Sequence, residues 1–286
     1  FNTEGIAIDA ADNLYIADGP LIRKISSDGL VSTIAGSKIS AYRDGNRATA
    51  AFVGVENIAI DNKGAIYVSD NEWTNNRGSN GYFLIRKITA EGIVTTLKNE
   101  KGDTLRFHYP RGLACDKDGN LYICASVSHC IKKISPSGVI ATVAGQCDKT
   151  KFNSVYKEGS VAVAVLTTPS GIAITNNGDI YITDTRLHRI IKIANSKVTT
   201  VAGGGKMNFS SNPAGTAEPG YMDGKALASR FESPNGIAFD RHGNLFIVDR
   251  SSSNNSYIRK LSAEGMVTTF CKHEWNPKTS QYEELE

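Results

Sequence analysis

The sequence predicts an all-β fold, a β-propeller of repeated four-stranded units, and three observations predict it. A five-residue phrase, Gly-Ile-Ala-Ile-Asp or a close variant, recurs at residues 5–9, 57–61, 112–116, 171–175 and 236–240. The copies start 52, 55, 59 and 65 residues apart, and self-similarity at such a period marks an array of stacked units. Each copy opens the same series of four short runs rich in Ile, Val, Leu, Tyr and Thr, which suit a pleated surface. Turn residues punctuate the runs at matching places in every unit.

The elements follow in order. Asp12-Asn13, Lys63-Gly64, Asp118-Gly119, Asn177-Gly178 and His242-Gly243 separate the first and second runs. Asp-Gly and Asn-Gly favour the tight turns that join neighbouring antiparallel strands. Asp28-Gly29, Glu91-Gly92, Ser137-Gly138 and Glu264-Gly265 stand before the fourth run, so each unit reads as a four-stranded meander. The first two strands are apolar at nearly every position, as in Ile172-Ala-Ile and Ile180-Tyr-Ile. A sheet with one wet face would alternate, so both faces are covered. With no helices to cover them, radial stacking of sheets does so. A small residue, Ala7, Ala59, Ala114, Ala173 or Ala238, suits the crowded centre. The third strands carry cation pairs, Arg23-Lys24, Arg86-Lys87, Lys132-Lys133 and Arg259-Lys260. One of each pair is expected in solvent and the other snorkelling along a neighbouring blade.

The linkers repeat as well. Tyr42-Arg-Asp-Gly45, Tyr156-Lys-Glu-Gly159 and Tyr221-Met-Asp-Gly224 each lead to Ala and a large apolar residue. Pro110, Pro169 and Pro234 fix the chain's angle before three of the first strands. One domain is expected over residues 1–286, with blades near 5–36, 57–97, 112–145, 171–203 and 236–270.

Pro169-Ser-Gly-Ile-Ala-Ile174, Asp179-Ile-Tyr-Ile-Thr-Asp184 and His188-Arg-Ile-Ile-Lys-Ile193 closely resemble the NHL repeat, and Ser128-His129-Cys-Ile-Lys-Lys-Ile134 is a second match. The resemblance covers the whole chain. It implies a propeller, usually of six blades. The long linkers with Tyr-x-Asp-Gly are similar to those of bacterial cell-envelope proteins in which the propeller follows an IPT/TIG domain, and this implies a periplasmic or cell-surface location. Five units are visible here, four residues precede the first phrase, and Phe1 is not an initiator Met. The chain is therefore expected to be a piece of a longer or processed one, with a sixth blade outside it.

Composition narrows the function. The chain has 286 residues, 40% of them hydrophobic, and 32 basic against 29 acidic residues give a net charge of +3. No Lys/Arg run exceeds two residues, which argues against nucleic acid as a partner. The longest apolar tract, residues 161–166, is far shorter than a membrane span. Five cysteines in no Cys-x-x-Cys pair argue against a disulfide framework or a zinc site.

Related six-bladed enzymes, amidating lyases and lactonases, hold a metal on the central axis. Asp9, Asp61, Asp116, Thr175 and Asp240 end the first strands here. Asp at this place belongs to the NHL phrase and is expected to cap the following turn. His129 and His188 stand at the NHL signature position, where packing is expected, and His108 lacks partners at matched sites. No cofactor is expected.

The functional signal is uneven loop growth. The loop between second and third strands is short in the first unit but long at residues 70–82 and 249–257. Core packing does not lengthen loops, and function concentrates in them. Trp73, Arg77, Tyr82, Arg186 and Arg250 are the candidate ligand-binding residues. Tyr42, Tyr156 and Tyr221 are expected to flank the same rim, since every such loop in a meander exits on one side. The expected function is a non-enzymatic binding or scaffold propeller for a glycan or protein ligand. The alternative is a hydrolase or lyase with an axial divalent metal.

Overall fold

The computed structural model describes residues 3–73, 79–147, 156–204, 207–208, 216–251, 255–276 and 281–285. Five four-stranded antiparallel blades form a propeller arrangement. Among the described residues helix is confined to two short turns, Thr185–Leu187 and Ala226–Ala228. The chain folds as two compact units, residues 1–127 with 132–141 and residues 128–131 with 142–286.

The first unit begins with blade one, strands Thr3–Ile8, Leu14–Asp18, Leu21–Ile25 and Val31–Gly36. Blade two comprises Val55–Ile60, Ile66–Trp73, Ser79–Ile88 and Ile93–Thr96. Blade three opens with Pro110–Cys115 and Leu121–Ala125. Alternate residues of blade two face opposite ways. Ile58, Ile66 and Val68 pack on Tyr15, Ala17 and Ile22 of blade one. Ala59, Ala65 and Tyr67 pack on Leu113, Leu121 and Ile123 of blade three. This two-sided burial is the physical reason for the unbroken apolar runs.

The second unit holds blade four, strands Pro169–Ile174, Ile180–Asp184, Arg189–Ala194 and Lys197–Ala202. It also holds blade five, strands Pro234–Phe239, Leu245–Arg250, Ser256–Leu261 and Met266–Asn276. Ile190 and Ala202 of blade four meet Leu245, Ile247 and Val267 of blade five around Phe231. At Gly171 the two first strands come so close that a β-carbon would lie 2.1 Å from the Asn235 carbonyl oxygen. Glycine at the start of this copy, as at Gly5, where a β-carbon would lie 2.7 Å from the Glu56 carbonyl oxygen, is thus a steric requirement.

The six-blade expectation is corrected to five. The tail beyond Phe270 builds no sixth sheet: strand Met266–Asn276 continues through it and pairs with Gln281–Leu285 as an added strand of blade five. The linkers add strands too. Gly45–Asn46, Gly159–Ser160 and Gly224–Lys225 pair with the outermost strands of blades two, four and five, covering edges that would otherwise template aggregation.

Two further expectations are corrected. Cys130 and Cys147 form a disulfide, a pairing that the irregular cysteine spacing conceals until the chain folds. Arg86 and Arg259 do not snorkel to water but are wholly buried. Arg86 bonds Asp70 and the linker residue Asp44, both at 2.8 Å, with its guanidinium over the Phe52 ring. Arg259 bonds Asp223 at 2.7 Å and lies over Phe231. In blade four Leu166 and Ile191 fill the places of the ring and the cation, both buried. There the guanidinium is supplied two residues earlier, by Arg189, which covers Tyr156.

Candidate functional site

The second-to-third-strand loop of blade two departs furthest from the repeat. Its second strand is 8 residues long and its third 10, against 5 each in blade one. A register shift falls between Asn71 and Trp73, and Trp73 pairs with Ser79 at the tip. A short strand, Arg106–His108, attaches beside the third strand, with Arg106 opposite Leu84, Phe107 opposite Phe83 and His108 opposite Tyr82.

This register sorts the side chains by face. Phe83 and Phe107 turn inward and are buried. Tyr82 and His108 share the other face, ring centroids 4.8 Å apart. The Tyr109 ring lies 5.0 Å from that of His108 and 6.1 Å from that of buried Phe83, at the edge between the two faces. Successive residues of a strand normally point to opposite faces. Tyr109 escapes this because its φ is +45°. Its N–H donates to the Gly81 carbonyl at 2.8 Å. Gly81 is there because a β-carbon would lie 2.3 Å from the Tyr109 ring and 2.7 Å from His108 Nε2. On the same face Arg106 Nε reaches across the middle strand to both oxygens of Glu72, each at 2.9 Å. Tyr82 and Tyr109 are each about 40% exposed (43% and 41%).

The other sequence-derived candidates lie as follows. In the first unit, the Tyr42 hydroxyl donates to the Asn71 carbonyl, so this linker touches the extended loop. Arg77 lies outside the described residues, and of Trp73 only the backbone is described. In the second unit, Tyr221 stacks on Tyr257 at 4.1 Å and its hydroxyl bonds Ser251 and Glu232. Arg250 is exposed at the end of its strand, and Arg186 is half-buried in the turn Thr185–Leu187. Tyr156 lies under Arg189, with its hydroxyl 2.8 Å from Thr200 Oγ1.

The carboxylates that end the first strands are spent on turns, as expected. Asp9 accepts from the Ala11 and Asn13 N–H groups, Asp61 from Lys63 and Ala65, Asp116 from Asp118 and Asn120, and Asp240 from His242 and Asn244. Thr175 does the same through its hydroxyl to Asp179 N–H. Among the described residues no three His, Cys, Asp or Glu gather as a metal-binding group. His129 and His188 each use Nδ1–H to hold a linker carbonyl, that of Thr167 and of Glu232. Burial lowers the His188 pKa, keeping the ring neutral.

Two sets of residues went unseen in the sequence. Asp70, Asp184 and Asp249, at matching places in the second strands, each accept two N–H bonds from the linker entering their blade. Their recurrence after Ile-Thr or its equivalent was the available signal. Tyr109 was the other: Phe107-His108-Tyr109 directly before Pro110 has no counterpart before Pro169 or Pro234.

Comparison with known proteins agrees with this architecture. The model of the NHL repeat matches residues 166–193. The chain carries an NHL repeat. Protein SUPPRESSOR OF QUENCHING 1, chloroplastic, of Arabidopsis thaliana is 29% identical over 185 residues, which is 62% of this chain and 16% of that protein. The chain thus spans about a sixth of the length of this curated relative. An auxiliary nutrient binding protein from Bacteroides ovatus superposes with a TM-score of 0.60 at 15% identity, covering 94% of this chain and 57% of that one. Virginiamycin B lyase from Staphylococcus aureus gives a TM-score of 0.55 at 16% identity, covering 99% and 83%. At these identities the two structures share the fold with this NHL-repeat chain.

Proposed function

We propose that this NHL-repeat propeller is a non-enzymatic binding or scaffold module of a bacterial cell envelope that holds a glycan or protein ligand on one rim. Trp73, Arg77, Tyr82, Arg186 and Arg250 would contact the ligand, flanked by Tyr42, Tyr156 and Tyr221. The observation that carries this reading is the enlarged loop of blade two, where Tyr82 stays 43% exposed with its ring beside that of His108. Aromatic faces beside guanidinium, amide and hydroxyl donors suit sugars and peptides alike. The fold shared with a nutrient binding protein supports a binding role. The Cys130 to Cys147 disulfide supports an oxidising compartment, as in a periplasm or at a cell surface. No helix among the described residues is long and apolar enough to cross a membrane.

The alternative, a lyase or hydrolase with an axial metal, has the shared fold of virginiamycin B lyase behind it. Against it, the first-strand carboxylates already serve turn amides.

The test is capture of ligand by the full chain, by affinity electrophoresis through soluble polysaccharides and by pull-down from envelope extract. Trp73→Ala is expected to weaken capture and leave the thermal midpoint nearly unchanged, since a loop residue contributes little to the core. A large stability loss with capture intact would make Trp73 a packing residue and remove the rim from consideration.

A further inference from the structure

We infer that Tyr82, His108 and Tyr109 form a sugar-stacking platform that takes the C–H face of a pyranose, with the Arg106–Glu72 pair bonding its hydroxyls. This rests on the binding reading above and gives it a ligand class and a place.

The argument starts from backbone cost. A bulky residue at positive φ is an outlier, and such a conformation stores backbone strain. Tyr109 is the more unusual because Pro110 follows, and residues before proline favour the extended region. Such strain persists only where something maintains it. Packing accounts for part of it, since the Tyr109 ring lies 6.1 Å from that of buried Phe83, yet 41% of Tyr109 remains exposed. What the strained φ achieves is placement. It brings the Tyr109 ring beside that of His108, which in turn adjoins Tyr82, with the rings tilted by 56° and 32° along the series. Gly81 supplies the clearance that the ring needs.

Such a surface suits one ligand chemistry better than others. The negative π-faces of tyrosines attract the weakly positive C–H edge of a sugar ring. A pyranose also presents paired equatorial hydroxyls at its rim. Arg106, with about half its side chain exposed, still has its terminal nitrogens beside the ion pair to donate to them, and Glu72 oxygens accept. A nucleic acid would need cations along a backbone track, and here the Arg106 guanidinium is already paired with Glu72.

The experiment is affinity electrophoresis of the full chain in native gels containing soluble xylan, mannan, β-glucan, arabinan or galactan, with thermal unfolding in parallel. The variants are Tyr109→Gly, Tyr82→Ala and Trp73→Ala. Tyr109→Gly is the decisive one, because glycine accepts the positive φ without the ring. The expected result is retardation of the wild type by at least one polysaccharide. Tyr109→Gly and Tyr82→Ala then weaken it at least about tenfold, while the Tyr109→Gly midpoint is unchanged or raised. If the wild type is retarded and both tyrosine variants bind equally well, the platform is overturned and the broader binding reading stands. If Tyr109→Gly loses its midpoint and keeps its affinity, the cluster is structural and the platform falls. If no polysaccharide retards the wild type, the sugar assignment falls, and capture of a protein from envelope extract then keeps only the broader reading.

Discussion

The guanidinium of Arg86 and the carboxylate of Asp70 meet at 2.8 Å with both side chains out of water. Asp70 also accepts from the Val53 and Gly54 N–H groups, while Arg86 reaches on to Asp44 and the carbonyls of Arg43 and Ala51. One ion pair therefore ties two strands of blade two to the linker that enters it. Blade five repeats the design with Arg259, Asp249 and Asp223. Removing one member leaves an uncompensated buried charge, which typically costs about 3–5 kcal/mol. Arg86→Ala is expected to destabilise by that amount in urea titration. Asp44→Asn, at the 48% exposed end of the network, is expected to cost about 1 kcal/mol or less. Equal effects would mean that burial is not what gives this pair its weight.

The same burial sets a pH dependence. It pushes the Asp70 carboxyl up to about 6, against the pull of its N–H partners and Arg86, and Asp249 likewise to about 6. An unfolded Asp titrates near 3.9, so between about pH 4 and 6 the native state holds more protons than the unfolded chain. Stability from these groups is present below pH 4 and is lost as pH rises through 6. The stability of the wild type relative to Asp70→Asn is expected to fall by up to about 3 kcal/mol between pH 4 and pH 7. Denaturant midpoints of the pair at four pH values check this, and a difference that grows with pH refutes it.

The repeat made the blades legible because each strand is apolar for a reason that every copy shares. Gly171 and Ala173 announce a crowded centre, and Asn177-Gly178 announces a turn, in sequence as in structure. What stayed hidden depends on partners distant in the chain. Arg86 and Lys87 look alike in a sequence, yet the first is buried among carboxylates and the second, only part-buried, lies over the ring of Tyr67. Cys130 and Cys147 belong to no spacing motif, and only the return of the chain after Gly145 brings them together. At the candidate site, loop length pointed to Tyr82, but Tyr109 owes its place to a backbone angle that no residue type announces.

Gly171 gives a sharp contrast with Gly178. A methyl at residue 171 would meet the Asn235 carbonyl oxygen at 2.1 Å and Ile237 Cγ2 at 2.8 Å, so adjoining first strands must part. Overpacking of this kind costs roughly 3 kcal/mol or more. At Gly178 the φ of +85° is the sole obstacle, with nothing within 4 Å of the added atom, and the cost is about 1 kcal/mol. Urea unfolding of Gly171→Ala and Gly178→Ala should separate by that margin. Equal midpoints would show that the first strands are free to move apart.

The disulfide makes the last prediction, on both chemistry and stability. Cys130 is buried at the start of strand Cys130–Ile134 and Cys147 lies just past strand Ile140–Gly145, 17 residues on. Closing a loop of that size removes unfolded-state entropy worth about 3 kcal/mol. Reduction, or paired replacement by serine, is therefore expected to lower stability by about 2–4 kcal/mol. The remaining three cysteines are thiols in distinct settings. Cys124 is buried, burial pushes the Cys115 thiol up to about 12, and Cys271 is half-exposed. Since the thiolate is the reacting species, iodoacetamide at pH 8 should label Cys271 first in the folded protein. Unfolded without reductant, the chain should take three labels by mass spectrometry, and five after reduction. Five labels without reductant in protein isolated from an oxidising compartment would show that the bridge does not form there, and would withdraw its support for an envelope location.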